Sequence, residues 1–220
     1  YWGYWPWQYD VTLQEFIVIP RGKIGLVIAK DGAQLQTGRI LARSVDCDNF
    51  QDARKFLNNG GQKGKQTKYL NTGVYRINTL LFDLTVADVT TVGEGKVGII
   101  TALDGDPLPS GQIAGEYVDG HNNFQDFDKF LENGGQRGLQ PQVVLAGSYT
   151  LNPWALEIQT ADMVEIPMGN VGVIVSFVGA EGEDVTGTGF KHGNIVKKGQ
   201  KGVWNTPLDP GKYPVNPMTT

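Results

Sequence analysis

The sequence predicts a mainly β protein with short helices, built as three tandem β-rich repeat modules in an elongated arrangement. Three observations carry this. A turn followed by an apolar strand recurs three times. A Gly-x-Tyr-x-x-Asn closer recurs three times with the same internal spacing. The 30 Gly and 11 Pro are spread along the chain without a short period, which favours many turns and short strands over long helices.

The openers are Ile19-Pro20-Arg21-Gly22-Lys23-Ile24-Gly25-Leu26-Val27, Val92-Gly93-Glu94-Gly95-Lys96-Val97-Gly98-Ile99-Ile100 and Ile166-Pro167-Met168-Gly169-Asn170-Val171-Gly172-Val173-Ile174. Asp31-Gly32 and Asp104-Gly105 follow the first two. Asp-Gly supplies the positive φ angles of a tight turn, so a β-hairpin is expected there. Next come Asn-Phe-Gln-Asp segments that lead to Phe-Leu-x-Asn-Gly-Gly-Gln, at 49–62 and 123–136. Short helices are expected over 49–59 and 123–133. Asn49 would cap the first turn, Asp52 would sit near its positive end, and Phe50, Ala53, Phe56 and Leu57 would share a face. Gly60 supplies the left-handed stop. The closers place Gly73, Tyr75 and Asn78, then Gly147, Tyr149 and Asn152, then Gly211, Tyr213 and Asn216. The third copy replaces the helix with a Gly- and acid-rich stretch at 181–194, yet keeps Gly199-Gln200-x-Gly202 as the counterpart of Gly61-Gln62-x-Gly64. The expected modules are 16–88, 89–161 and 162–220, after an aromatic segment at 1–15. Tandem units of this size bury their strand faces against neighbours.

Charge and composition narrow the function. The net charge is −4, with Lys and Arg scattered, so no stripe is present to neutralise a run of phosphates and no nucleic-acid partner is expected. One cysteine, Cys47, allows no internal disulfide framework. The longest apolar run, 171–179, is about nine residues, against the roughly 20 of a membrane-spanning helix.

Chemistry-bearing residues are sparse. The two histidines, His121 and His192, lie in Gly/Asn-rich turns and read as solvated loop residues. Cys47 is flanked by Asp46 and Asp48, which raise a thiol pKa, the wrong direction for a nucleophile. The 60–65 stretch has Asn59 and Gln66 where a phosphate-binding loop needs Gly and Ser/Thr. Asp104-Gly105-Asp106 and Glu181-Gly182-Glu183-Asp184 lack the EF-hand order and read as surface turns. No catalytic residue, cofactor or metal is assigned, and the chain is expected not to be an enzyme.

The segment from Val164 through Val175, with Phe190-Lys191-His192-Gly193-Asn194, Lys201-Gly202-Val203-Trp204 and Pro210-Gly211-Lys212-Tyr213-Pro214-Val215-Asn216-Pro217, resembles the entry strands of an SPFH (band 7, stomatin/flotillin-like) domain. The first two copies resemble modules that precede that domain in larger bacterial flotillin-like proteins. The resemblance covers the chain from about Phe16 onward. It implies a membrane-associated scaffold, anchored by a segment preceding residue 1. Its soluble part would be in the bacterial cytoplasm, and it would oligomerise with itself into a ring or cage that organises membrane microdomains or client membrane proteins. In that setting Trp2, Tyr4, Trp5 and Trp7 would be membrane-proximal, since Trp and Tyr favour the headgroup level. The same cluster is equally suited to packing over the first module as a lid. A rival of another class is a monomeric module that binds a peptide or glycan through aromatic residues such as Trp154, Trp204 and Tyr213.

Overall fold

The structure, a computed structural model, describes residues 13–182, 185 and 195–220. It is mainly β, assembled from several small, largely antiparallel sheets. Trp2, Tyr4, Trp5, Trp7 and His192 lie outside the described residues.

The first set of elements is β1 (Ile17–Ile19), β2 (Lys23–Ala29), α1 (Ala53–Asn58), β3 (Gly64–Leu70), β4 (Gly73–Tyr75) and β5 (Phe82–Asp88). β1 pairs with β4, and β2 is the centre of a three-stranded sheet in the order β3-β2-β5. The second set is β6 (Thr90–Val92), β7 (Lys96–Ala102), α2 (Phe127–Glu132), β8 (Gly138–Val144), β9 (Gly147–Tyr149) and β10 (Leu156–Asp162). Its pairings repeat the first: β6 with β9, and the order β10-β7-β8. Even the register shift recurs, between Leu26 and Ile28 on β2 and between Ile99 and Thr101 on β7.

The last set comprises β11 (Val164–Ile166), β12 (Val175–Ser176), β13 (Ala180–Glu181), β14 (Ile195–Val196), β15 (Gln200–Trp204) and β16 (Gly211–Tyr213). It keeps the short pair, β11 with β16, and the pairing of β12 with β15, extended by a bridge between Gly172 and Leu208. β13 and β14 both run parallel to β15.

Each core gathers around an aromatic cluster. Phe50, Phe56 and Phe82 meet edge-to-face or tilted, with centroids 5.0–6.2 Å apart, beneath β1, β2 and β3. His121, Phe124, Phe127 and Phe130 form the corresponding cluster in the second set, with centroids 4.1–5.7 Å apart and Phe127 stacked on Phe130. Gly25 and Gly98 sit in the central strands because a methyl there would strike Ile19 and Leu70, or Val144 and Ile158.

Two expectations for the loops are corrected. The Asp31-Gly32 and Asp104-Gly105 turns close no hairpin. The strand before each pairs with strands far along the chain, and the turn feeds a parallel bridge, Ala33 with Gln62 and Asp106 with Gln136. The added Cβ of any other residue at Gly32 would collide with the Gly61 carbonyl.

The helices are also shorter than expected, at 53–58 and 127–132. Their N-caps are Asp52 and Asp126, whose carboxylates accept the Lys55 and Lys129 amides at 2.9 and 3.2 Å. Asn49 caps nothing. Asp48, Asn49 and Phe50 form a left-handed turn with φ of 52°, 52° and 61°, and Asn122, Asn123 and Phe124 repeat it. Asn and Asp tolerate this region and Phe does not, so the phenylalanine is held there by its fully buried ring. Leu57 leaves the buried face and is 45% exposed.

Candidate functional site: the junctions between sets

The recurring residues converge on two places: the closer turn, and the contact between one set and the next. In every closer the tyrosine hydroxyl donates to the carbonyl four residues earlier: Tyr75 to Asn71, Tyr149 to Leu145 and Tyr213 to Asp209, at 2.8–2.9 Å. Each closer Asn folds its Oδ1 back to accept the amide two residues on: Leu80, Trp154 and Met218. That turn fixes the orientation of the amide nitrogen.

Asn152 uses its nitrogen to donate to the carbonyls of Gln66 and Thr67 on β3, at 3.0 and 2.9 Å. Asn216 donates in the same way to the Gln140 carbonyl on β8, at 2.9 Å. Both side chains are buried, so the pairing replaces water that the carbonyls have lost. Gln66 and Gln140 are themselves locked. The Nε2 of Gln66 donates to the carbonyls of Gln62 and Gly64, and that of Gln140 to those of Gln136 and Gly138. In the last set Trp204 stands at this position and its indole donates to the Gln200 carbonyl, which preserves one of the two bonds.

The first junction is reinforced by carboxylates. Asp104 is buried and accepts the Ile40 and Leu41 amides at 3.3 and 3.0 Å, while Arg39 approaches it at 3.6 Å and Asp106 at 3.8 Å. The sequence reading of Asp104-Gly105-Asp106 as a surface turn is therefore corrected: its first carboxylate is a buried anchor for the preceding set. Asp128, on α2, accepts the Thr67 hydroxyl at 2.6 Å and also binds Ser44. The Tyr69 hydroxyl pairs with Thr150 at 2.8 Å, and its burial pushes the phenol pKa up. Leu41 reaches out of the first set into the core cluster of the second, which includes Val92, Ile100 and Phe127. Lys65 lies over the Trp154 ring, 5.2 Å from its centre.

Two of the chemistry-bearing residues serve the same architecture. Cys47 and His121 occupy matching places before the left-handed turns. The Phe50 amide donates to Cys47, and the Phe124 amide donates to His121 Nδ1 at 2.7 Å. Since Nδ1 accepts, Nε2 carries the proton and donates to the Val118 carbonyl at 2.9 Å. His121 is buried with both nitrogens engaged, which corrects its reading as a solvated loop residue. The Cys47 thiol pKa is raised as the sequence suggests, but burial is the first cause, ahead of Asp46 and Asp48. Among the described residues no cluster of His, Cys, Asp and Glu could hold a metal ion, and no helix is long and apolar enough to cross a membrane.

At the second junction the residue matching Leu41 is Ala114, and a cavity of about 1080 Å³ opens between the 110–117 loop and the last set. Trp204 and Tyr213 both line it, with Tyr117 and Phe177. Trp154, the third aromatic singled out, packs on the core of the second set instead.

At the other extreme lies a groove of about 510 Å³ on the first set, lined by Asp31, Ala53, Arg54, Leu57, Asn78, Leu80 and Leu81. Its key members match the junction residues of the second set: Asp31 stands where Asp104 does, Arg54 where Asp128 does and Asn78 where Asn152 does. Leu57 is 45% exposed where Leu131 is 7%, and Leu80 is 80% exposed where Trp154 is half-buried. The Asn78 Oδ1 is turned back as in the other closers, and its Nδ2 has no hydrogen-bond partner among the described residues. The sequence signalled this position through the recurrence of the closer, but not that the Asn faces a neighbouring set. No family model, curated protein or solved structure matches the chain.

Proposed function

We propose that the chain is a non-catalytic, membrane-associated scaffold module that self-associates into a ring- or cage-like assembly of the SPFH kind and organises membrane microdomains or client proteins. The observation that carries self-association is the groove around Asn78. It presents the same oriented amide, beside the same apolar positions, that Asn152 uses to hold a β-strand of a neighbouring set. A surface already shaped for a copy of the fold, with Leu57 and Leu80 uncovered, favours a partner of its own type. The SPFH assignment, the membrane anchor preceding residue 1 and the cytoplasmic placement rest on the resemblance of the opener and closer motifs.

The test is the mass of the 24.0 kDa chain by sedimentation equilibrium over a wide concentration range. Masses that climb with concentration, and that fall back in an Asn78→Ala, Leu80→Glu variant, support the reading. A monomer at every concentration overturns it.

A second reading, a monomeric module that binds a peptide or glycan through aromatic side chains, is favoured by the cavity at the second junction, where Trp204 and Tyr213 come together. Tryptophan fluorescence titrated with peptide and oligosaccharide libraries would separate it from self-association.

A further inference from the structure

The sheets of the first two sets each have one defended edge and one bare edge. β3 and β8 are defended. Their registers against β2 and β7 shift, between Leu26 and Ile28 and between Ile99 and Thr101. Loops cover their outer sides: the Ala42 amide donates to the Lys65 carbonyl, the Thr67 amide to that of Ala42, and the Gly115 amide to that of Leu139. β8 also contains Pro141. Bulges, proline and covering loops are the devices that keep a sheet edge from pairing with another chain.

β5 and β10, at the opposite edges, have none of them. Each keeps an unbroken register with its central strand, Phe82–Asp88 along β2 and Leu156–Asp162 along β7. The bonds at the strand ends fix which groups face inward. The Lys30 amide donates to the Leu81 carbonyl and the Val89 amide to that of Gly22, while the Leu103 amide donates to Ala155 and the Met163 amide to Gly95. Because antiparallel partners alternate, the backbone groups of Leu84, Val86 and Asp88 point away from the sheet, as do those of Ile158, Thr160 and Asp162. Among the described residues these amides have no other backbone partner. The second set lies between the other two, and its edge is as bare as that of the first.

We propose that β5 and β10 pair edge to edge with the same strands of a second copy, antiparallel about a two-fold axis; this rests on the self-association reading above and adds a contact that the groove around Asn78 does not use. The register follows from the groups left open. The Phe82 and Leu156 amides are already taken by the Asn78 and Asn152 carbonyls, so a pairing built only from open groups is centred on Val86 in β5 and on Thr160 in β10. Val86, 41% exposed, then faces Val86 of the second copy, Leu84 faces Asp88 and Thr85 faces Ala87. In β10, Thr160 faces Thr160, Ile158 faces Asp162 and Gln159 faces Ala161. Both axes fall on β-branched residues, which suit cross-strand pairs. No acid meets an acid, and Asp83, Asp88 and Asp162 are already paired with Lys30, Lys23 and Lys96. The edge is thus self-complementary, as a two-fold contact requires, and this selects a second copy as its occupant.

The test mixes full-length Thr85→Cys and Ala87→Cys variants under mild oxidation and, separately, Gln159→Cys and Ala161→Cys. Cys47 is buried in all four. Both mixtures should yield an inter-chain disulfide, identified by mass spectrometry, because Cα atoms of such non-hydrogen-bonded pairs lie about 4.5 Å apart, within bridging range. Each variant alone should link several-fold less; links stronger in the single variants than in the mixtures overturn the antiparallel register. Adding Val86→Lys and Thr160→Lys sets like charges face to face on the axes. It should abolish the links and raise several-fold the concentration at which the chain associates. Links that persist in the Asn78→Ala, Leu80→Glu background support the edge as a contact separate from the groove. Absence of both links, as expected if the edge instead serves an extended segment of another protein, overturns the proposal. In that case a mass that still climbs with concentration leaves the groove reading standing, and a monomer overturns both.

Discussion

Asn152 is the residue at which local turn chemistry becomes a contact between sets. Its Oδ1 is committed to the Trp154 amide, so the nitrogen is aimed at Gln66 and Thr67 without a further entropic penalty. Asn152→Ala removes both donors and strands two buried carbonyls, and should cost about 2–3 kcal/mol in urea unfolding. Asn78→Ala, whose nitrogen has no partner among the described residues, should cost the isolated chain well under half of that. Equal losses at the two positions would contradict the assignment of Asn152 to the junction. Cys47 and Tyr69 give the residue scale a pH signature. Burial raises both pKa values, so the folded state holds each proton more tightly than the unfolded chain does. Their contribution is complete below the ordinary thiol value of 9.0 and is lost as pH climbs through the raised folded values. The urea midpoint should therefore fall as pH rises above the ordinary thiol value of 9.0, and a midpoint that stays flat there would contradict their burial.

At the scale of elements, the Asn-Phe-Gln-Asp segment shows how a legible motif can be misread. Periodicity and capping rules favour a helix from Asn49, yet the first three residues run left-handed and the helix begins after Asp52. The deciding interactions lie elsewhere in the chain. The Phe50 ring packs on Phe56 and Phe82, the Gln51 side chain accepts the Arg76 amide, and Cys47 accepts the Phe50 amide. None of these is written in local propensity. The strands fared better, because Lys23–Ala29 and Lys96–Ala102 announce themselves as apolar runs after a Gly turn, and the closer tyrosines recur with fixed spacing. The Asp-Gly turns misled because a two-residue turn signal says nothing of where its flanking strands find partners, and here the partners lie 35 or more residues on, as Gly64 does from Ala29. The helix caps are testable at this scale. Asp52→Ala and Asp126→Ala should each cost about 1 kcal/mol. Gly98→Ala, which drives a methyl into Val144 and Ile158, should cost about 1–3 kcal/mol through overpacking. Thermal or urea denaturation would rank them, and a neutral Gly98→Ala would show that β7 and β10 sit farther apart than described.

For the whole molecule, the question is whether neighbouring sets fold as one body, and Leu41 answers it most directly. It belongs by sequence to the loop after β2, yet it is buried in the core cluster of the second set, with Val92, Ile100 and Phe127 among its members. Asp104 fixes its backbone from the far side through the Leu41 amide. The sequence gives no hint of this: nothing distinguishes Leu41 from any loop leucine, and Asp104 lies 63 residues away. Removing the side chain leaves a void that neither set can collapse alone, so Leu41→Ala should cost about 2–5 kcal/mol. Because the lost contacts lie at the junction, the loss should appear as uncoupling as well as destabilisation. Unfolding of the native chain should carry the first two sets through a single transition, whereas Leu41→Ala with Asp128→Ala should split it. Hydrogen exchange resolved by segment then separates the possibilities. If exchange accelerates in β2, β3 and β5 while β7, β8 and β10 keep their protection, the sets are joined through the described contacts. If protection falls equally throughout, the cooperativity resides in the continuous β5–β6 connection and the junction contacts contribute little to it.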